Sequence, residues 1–332
     1  MAEYKGIKGF KVQSLGSDPS IVGQTWYNTV SNTLKYNVLA GSWTTGGAAN
    51  QARGDAGSNT SGGTQTAFLG FGGYYNPVGN MNNAEEYDGT SWAAVTAMPT
   101  ASAGIRGLGT STAVLTVDGD RSGKYSNVCN QWNGSSWTSE GATSRYRRGA
   151  MCAGTETAGL TCQGYALTAA PPAPTAGNAN TEEYDGTSWT AGGDQLAHLS
   201  GTAGTGSQTA AINAGGGSNN ATTQLYDGTS WTETADLNVG RDSLSVFGVQ
   251  TSAIAASGQG PAIPGMTEDC EEWNGTSWTE VSSYSSARYG SVSAGTSTAG
   301  VFGFGYIPGS PYFNTATEEW NKATTAKTVT AS

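Results

Sequence analysis

Five stretches of this sequence share one pattern of apolar and polar positions. In each, an aromatic residue precedes an Asp-Gly or Asn-Gly pair, and a tryptophan follows. The copies read EEYDGTSW at 85–92, NQWNGSSW at 130–137, EEYDGTSW at 182–189, QLYDGTSW at 224–231 and EEWNGTSW at 271–278. Asp-Gly and Asn-Gly tolerate the positive φ angles of a tight hairpin turn, and aromatic residues are common in strands. The pattern therefore predicts a strand, a turn and a second strand.

The motif recurs at an interval that indicates a repeat protein. With Trp43 of the segment LAGSW as the first mark, the tryptophans at 43, 92, 137, 189, 231 and 278 lie 42 to 52 residues apart. A partial copy, EEWNKATT, occupies 318–325. Repeats of this length built from strands are typical of β-propellers, in which each repeat is a four-stranded blade. We expect an all-β protein.

A second pattern lies between successive motifs and predicts a buried strand in every repeat. Its members begin with threonine and continue through small or apolar residues at consecutive positions, which predicts a sheet covered on both faces. A variable loop follows each of them. The runs occupy 66–73, 112–117, 157–162, 209–216, 251–256 and 298–305.

Residues 1–42 precede the repeats and follow their own pattern. Alternating residues predict a hairpin from 23–28 and 33–37, with another strand at 10–13. The last repeat can take its outer strand from 324–329, which leaves residues 1–42 to supply an irregular seventh blade or a docking and oligomerisation element. We expect repeats at 43–332 and seven blades. The alternative is six blades and a separate N-terminal hairpin.

Composition favours strands and turns, and it excludes several classes of function. Glycine contributes 50 of 332 residues and charged residues only 12 %, so we expect almost no helix. The net charge of −10, with scattered basic residues, argues against binding of nucleic acid or anionic membranes. Neither a membrane span nor a signal peptide is expected. Four cysteines do not make a disulfide framework, and we expect Cys152 and Cys162 to be reduced.

The repeats also resemble a known family. The buried run of each repeat, which would be the second strand of its blade, ends in two small residues. A loop, a Tyr/Trp-Asp/Asn-Gly turn and a tryptophan come next, as in the Kelch motif. The glycine doublet is intact at Gly72-Gly73 and Gly215-Gly216. The chain resembles a Kelch-type, galactose-oxidase-like β-propeller over residues 43–325. The motif sequence EEYDGTSW is similar to repeat sequences in Kelch-like proteins of marine bacteriophages. The N-terminal GQTWYNT…TLKYN…GSW is similar to hairpins of phage fibre and other virion proteins.

These resemblances imply a non-enzymatic virion protein, either a fibre, a tail-tip protein or a capsid-decorating propeller. It would be assembled in the host cytoplasm and bind host-surface glycans or other virion structural proteins, with homo-oligomerisation through the N-terminal segment. The alternatives are a cellular Kelch-type scaffold or lectin and a polysaccharide-active enzyme. No cofactor and no metal site are expected, because a galactose-oxidase-like copper site needs several histidines and His198 is the only one. Asp118 and Asp120 could bind a cation, although a solvated turn is the simpler interpretation.

Two sets of residues are candidates for ligand binding. Basic residues lie at or next to the tenth position after the marker tryptophan, where a propeller would bring them to one rim able to bind anions or sugars: Arg53, Arg147, His198, Arg241 and Arg288. The alternative is a structural role, either in hydrogen bonds to carbonyls of the neighbouring blade or in pairs with the repeated carboxylates at 85, 182, 271 and 318. Aromatic residues in the variable loops could stack on sugars, fill gaps between blades or contact a neighbouring subunit: Tyr74, Tyr75, Tyr306, Tyr312 and Phe313.

Overall fold

The computed structural model describes residues 12–117, 119–167, 179–261, 265–309 and 312–329. These residues form β-strands and no α-helix, as the composition predicts. The chain divides into two compact units: unit 1 comprises residues 1–42 and 321–332, and unit 2 comprises residues 43–320. The segment 321–332 groups with residues 1–42 in unit 1. The described residues include no helix with the length and apolar character that a bilayer crossing requires.

Unit 1 contains the predicted N-terminal hairpin. Strand β1 (Gln13–Leu15) pairs in parallel with β2 (Thr25–Asn28), and β2 pairs antiparallel with β3 (Thr33–Thr45). Strand β1 begins at the last residue of the predicted strand 10–13; residues 10 and 11 lie outside the described residues. Trp26 of β2 is buried, and the N–H of Val329 donates to the carbonyl of Leu34 over 2.9 Å. The C-terminal segment of unit 1 is therefore hydrogen-bonded to the hairpin.

Unit 2 contains six main sheets, and the strands of the first five follow one another along the chain. The first sheet and a small hairpin inserted in it consist of β4 (Gly57–Ser58), β5 (Phe68–Phe71), β6 (Tyr74–Tyr75), β7 (Gly79–Asn80), β8 (Ala84–Tyr87) and β9 (Trp92–Val95). The second consists of β10 (Arg106–Thr110), β11 (Ala113–Val117), β12 (Cys129–Trp132) and β13 (Trp137–Glu140). The third, with the two-stranded ribbon β14–β17, consists of β14 (Tyr146–Arg148), β15 (Met151–Thr155), β16 (Ala158–Cys162), β17 (Tyr165–Leu167), β18 (Thr181–Tyr184) and β19 (Trp189–Ala191).

The remaining three sheets have the same order. The fourth consists of β20 (Ala203–Ser207), β21 (Ala210–Ala214), β22 (Thr223–Tyr226) and β23 (Trp231–Glu233). The fifth consists of β24 (Ser245–Val249), β25 (Ser252–Ala256), β26 (Cys270–Trp273) and β27 (Trp278–Val281). The sixth contains β28 (Val292–Thr296), β29 (Ala299–Gly303) and β30 (Thr317–Thr328). Each of the first five is a four-stranded antiparallel sheet.

The sixth sheet takes its fourth strand from the N-terminal side of the repeats. The end of β3 lies next to β30 in the strand order, and the N–H of Gly46 donates to the carbonyl of Thr317 over 2.9 Å. Trp43 packs on Trp320 with ring centroids 5.2 Å apart. The prediction that 324–329 supplies this outer strand is wrong, because those residues belong to β30 or follow it directly.

The predicted second strands are confirmed as β5, β11, β16, β21, β25 and β29. Their side chains are buried at consecutive positions, as Val114 to Val117 of β11 illustrate. Hydrophobic clusters join neighbouring sheets; one of them contains Ile212 of the fourth sheet with Val246 and Trp273 of the fifth. The four cysteines are buried and form no disulfide, as expected, and Cys152 lies opposite Thr161 in the ladder.

The repeated motif forms the hairpin between the third and fourth strands of a sheet. In the first copy, Oδ1 of Asp88 accepts hydrogen bonds from the N–H groups of Thr90 and Ser91, both at 2.8 Å. Gly89 has a φ of 93°, which favours glycine. Tyr87 and Trp92 lie opposite each other with ring centroids 5.2 Å apart. The motif thus uses its Asp or Asn as an acceptor and its glycine for the positive φ.

The first strands of the six sheets contact one another in a cyclic order. β4 contacts β10, β10 contacts β15, β15 contacts β20, β20 contacts β24, β24 contacts β28, and β28 contacts β4. Just before each strand, one residue has a φ between 50° and 66°. Five hydrogen bonds of 2.7–2.9 Å join the N–H of one such residue to the carbonyl of another. We call these six the ring residues: Asp55, Gly104, Gly149, Gly201, Ser243 and Gly290.

Candidate functional site

The four arginines proposed for a ligand-binding rim lie inside the protein. Each is 0 % exposed, and its guanidinium forms an ion pair with a glutamate on the third strand of its own sheet. An exposed rim of guanidiniums is therefore wrong, because burial leaves these groups no contact with solvent. The contacts agree with the structural alternative. The pairs are Arg53–Glu85, Arg147–Glu182, Arg241–Glu271 and Arg288–Glu318.

The two sheets that lack the arginine also lack the glutamate. The second sheet has Ser102 and Asn130 at the two positions, and the fourth has Leu199 and Gln224. Gln224 keeps the backbone contact, because its Oε1 accepts from the N–H of Leu196 over 3.1 Å. A buried carboxylate without a cation is costly. The change of both partners together identifies the pair as part of the framework.

His198 and Tyr312 lie apart from these buried groups. His198 is exposed on the segment between β19 and β20. Tyr312 is 62 % exposed. Neither residue is part of the group of packed loop aromatics or lines the cavity next to them. Asp118, the other residue of the possible cation site with Asp120, lies outside the described residues. Across the described ranges, no group of three or more His, Cys, Asp or Glu side chains could hold a metal ion.

The other four predicted loop aromatics come together. The ring of Phe313 lies 6.0 Å from that of Tyr74, 5.2 Å from that of Tyr75 and 5.1 Å from that of Tyr306, between centroids. Tyr306 also stacks on Tyr289, with centroids 4.7 Å apart and an interplanar angle of 15°. We call these five residues the aromatic cluster. It joins the β6–β7 hairpin of the first sheet to the loop after β29 of the sixth.

A cavity of about 350 Å³ opens beside the aromatic cluster. Its lining includes Tyr74, Tyr306, Asp55, Asp120 and Arg148. Nη2 of Arg148 donates to Oδ2 of Asp55 over 2.9 Å, and Nη1 lies 4.0 Å from Oδ2 of Asp120. The hydroxyl of Tyr306 donates to the same Asp55 oxygen over 3.3 Å. An aromatic surface thus lies next to ionised and hydrogen-bonding groups.

Asp55 occupies its position at a conformational cost. It is a ring residue with a φ of 50°, where a residue other than glycine loses about 1–2 kcal/mol. Glycine holds four of the six ring positions, so the aspartate is not required by the backbone. Residues kept in such conformations occur preferentially at functional sites. Next to it, Gly54 has no side chain, and a Cβ there would overlap the ring of Tyr306.

Burial and negative charge determine the protonation of this site. Burial raises the pKa of Tyr306 and Tyr289, and the charge of Asp55 raises both further. The two hydroxyls are therefore protonated at neutral pH. Burial and the charge of Asp55 also raise the pKa of Asp242, the neighbour of a ring residue. The cavity lining has two carboxylates, Asp55 and Asp120, against the one guanidinium of Arg148, so its charge is negative.

The sequence pattern predicts the aromatic members of this site better than the polar ones. It predicts none of Asp55, Asn80, Arg148 and Tyr289. Asn80 lies in the cavity wall and donates through Nδ2 to the carbonyl of Asp120 over 2.7 Å. Comparison with known protein families and with characterised proteins finds no match to this chain. The function is therefore inferred from the geometry of the site.

Proposed function

We propose that the six sheets of unit 2 are the blades of a Kelch-type β-propeller. The cyclic contacts of the first strands and the hydrogen bonds among the ring residues support this architecture. A further bond joins the sixth sheet to the first: Nε1 of Trp92 donates to Oγ1 of Thr317 over 2.8 Å. Six blades are favoured over seven, because the end of β3 is used as the fourth strand of the sixth sheet.

The cavity at the aromatic cluster is, on this proposal, a carbohydrate-binding site without catalytic activity. The observation that carries it is the contact of Tyr306 with both Phe313 and Asp55. Sugars present apolar ring faces that pack on aromatic side chains, and hydroxyl groups that need hydrogen-bond partners. Asp55, Arg148 and Asn80 supply such partners within the same cavity. Its volume of about 350 Å³ falls in the usual range of ligand pockets.

The charges of the site favour a neutral sugar. Arg148 is the one cation among the residues that line the cavity, and it faces Asp55 and Asp120. The whole chain carries a net charge of −10. A uronic or sialic acid would bring a further carboxylate into this field and be repelled. Hexoses and other uncharged sugars do not meet this repulsion.

Binding without catalysis is supported by the arrangement of the carboxylates. A glycosidase needs two carboxyl groups on either side of the bond to be cleaved, one acting as an acid. Asp55 and Asp120 instead approach the two Nη atoms of Arg148. The adjacent glutamates of the motif are also engaged elsewhere: Glu85 pairs with Arg53, and Glu319 accepts from the hydroxyl of Tyr87 over 2.6 Å.

The biological setting rests on the sequence resemblance alone. We propose a virion protein of a bacteriophage, as a fibre, tail-tip or capsid-decorating component that binds host-surface glycans and contacts other virion structural proteins. Unit 1 would be the element that docks or forms a homo-oligomer. A cellular lectin or scaffold is the alternative. Mass spectrometry of purified particles tests the setting: the intact chain is expected among the virion proteins, and its absence contradicts the proposal.

Carbohydrate binding is tested by saturation-transfer NMR with matched oligosaccharides. Neutral glycans are expected to bind, and the same backbones carrying uronic acids are expected to bind more weakly. Tyr306→Ala should weaken binding about tenfold, as expected for an aromatic contact worth up to about 1.5 kcal/mol. Tyr312→Ala is the control, because this exposed tyrosine lies outside the cluster. Equal binding by both variants, or no saturation transfer with any neutral glycan, would refute the proposal.

A further inference from the structure

A second cavity lies between the first strands of the six sheets. All six sheets contribute to its wall, and we call it the inner-strand cavity. Its volume is about 30 Å³, which is enough to hold a water molecule or a small ion. Its lining includes Ser58, Arg106, Cys152, Gly204, Ser245 and Ser293. The inner-strand cavity is distinct from the cavity beside the aromatic cluster, because the two share none of their lining residues.

Arg106 is the charged residue of this wall. Its Nη1 donates to the carbonyls of Ile105 and Ala56, over 3.0 and 3.4 Å. Among the residues that the structure describes, no carboxylate comes within ion-pair distance of its guanidinium. Arg53 and the other three buried arginines each have a glutamate. Arg106 therefore has neutral hydrogen-bond partners, whereas each of those four arginines is paired with a carboxylate.

The charge of Arg106 is retained despite its surroundings. Burial lowers its pKa, and the charge of Asp55 acts in the opposite direction. An arginine remains protonated in proteins because its intrinsic pKa is very high. Asp55 itself is already held by Arg148 and Tyr306. A partly buried guanidinium is stabilised by a counter-ion placed next to it.

A buried hydroxyl in the same wall makes no hydrogen bond to any described residue. Ser293 is 2 % exposed, and its Oγ makes no hydrogen bond within the described part of the chain. Its neighbours are satisfied: Oγ of Ser58 donates to the carbonyl of Ser293 over 3.2 Å, and Oγ of Ser245 donates to that of Ser291 over 2.9 Å. Buried hydroxyl groups nearly always have a partner. Ser293 is thus a donor available to a ligand in the cavity.

We propose that the inner-strand cavity binds a small monovalent anion, with Arg106 as its counter-charge and Oγ of Ser293 as a hydrogen-bond donor. The first strand of each sheet is an edge strand, and its outer N–H groups provide further donors. The volume of about 30 Å³ suits a halide-sized ion. The ion would link residues of the second and sixth sheets.

Bromide is the anion used in the first test, because bromide scatters X-rays anomalously and can stand in for chloride. A crystal of the full chain soaked in sodium bromide should show an anomalous peak between Arg106 and Ser293. The peak should be absent in Arg106→Gln and weaker in Ser293→Ala, which keeps the charge. Arg145→Gln, at an arginine outside the cavity wall, should keep it.

Thermal unfolding at constant ionic strength gives a second readout, with chloride replacing gluconate, a much larger organic anion. The wild-type midpoint should rise with chloride concentration, as expected for a ligand of the folded state, and the midpoint of Arg106→Gln should not. If Arg106→Gln fails to fold, Ser293→Ala should show a smaller rise. No bromide peak in the wild-type cavity, or equal chloride responses in wild type and both variants, would overturn the proposal.

Discussion

Arg288 and Glu318 form a buried ion pair in which Nη2 of the arginine donates to Oε1 of the glutamate over 2.8 Å. Nη1 of Arg288 donates to the carbonyls of Phe304 and Ala316 over 3.3 and 3.1 Å. The guanidinium also lies 5.3 Å from the ring centroid of Phe302. One side chain thus connects the entry to β28, the loop after β29 and the start of β30. The pair therefore holds parts of the sixth sheet together.

Removal of one partner of this pair should be far more harmful than removal of both. Arg288→Leu leaves Glu318 buried without a cation, and Glu318→Gln leaves the arginine without an anion. Each should lower the free energy of unfolding by about 3–5 kcal/mol. The double variant reproduces Leu199 and Gln224 of the fourth sheet and should be more stable than either single variant. Chemical denaturation measures all three; a double variant as unstable as the sum of the singles would contradict the interpretation.

The sequence predicts the second strands and the turns because both depend on local patterns. Consecutive buried positions mark β11, and an acceptor followed by glycine marks the turn at Asp88 and Gly89. The outer strand of the sixth sheet could not be predicted in this way. It comes from β3, far from β30 along the chain, and no local pattern encodes a pairing between distant segments.

The residues of the candidate site also differ in how far the sequence predicts them. Tyr306 and Phe313 are recognisable as aromatic residues in a variable loop. Asp55 and Arg148 are 93 residues apart, in different repeats, and they meet only because their sheets are brought together. The sequence does contain a signal for the Arg–Glu pairs, whose arginines the spacing predicts to be a ligand-binding rim. Arg53 and its equivalents are present only in repeats that also have the glutamate. That co-occurrence indicates a structural pair.

A gain in stability is expected from Cys129→Thr. The tryptophans at 92, 231 and 278 each donate through Nε1 to a threonine hydroxyl that begins a third strand of the preceding sheet, over 2.8–3.0 Å. Cys129 occupies that position for Trp189, which packs against the cluster that contains Cys129, and the buried Nε1 of Trp189 makes no hydrogen bond in the described structure. A threonine should supply the acceptor and raise the free energy of unfolding by about 1 kcal/mol.

The control for this gain is the double variant Cys129→Thr/Trp189→Phe, in which the donor is absent. It should show no advantage over Trp189→Phe alone. Thermal and urea unfolding measure both comparisons. An equal gain from Cys129→Thr with tryptophan or phenylalanine at position 189 would show that the new hydroxyl acts elsewhere.

Acid should weaken the turns that contain aspartate. Backbone N–H groups lower the pKa of Asp88, Asp185 and Asp227, in the first copy those of Ser91 and Thr90. Because the pKa is lower in the folded state, the contribution of each turn is complete above the ordinary pKa of about 3.9. It is lost as the pH falls through the folded pKa. The free energy of unfolding should therefore decrease in that acidic range.

Asparagine at these three positions should remove part of the acid sensitivity. Asn133 and Asn274 already accept the same pair of backbone hydrogen bonds in their own turns, and an amide does not titrate. The triple variant Asp88→Asn/Asp185→Asn/Asp227→Asn is compared with wild type by urea unfolding from about pH 6 to about pH 3. Identical slopes of stability against pH would show that other groups dominate acid unfolding.

The most direct test of the proposed function is a crystal structure with a bound neutral oligosaccharide, chosen from the glycans that show saturation transfer. We predict a sugar ring packed against Tyr306 or Phe313, with hydroxyl groups within about 2.7–3.2 Å of Asp55 or Arg148. Asp55→Asn should retain the packing and lose affinity. Glycan density found only at another surface, with the cavity beside Tyr306 empty, would contradict the account.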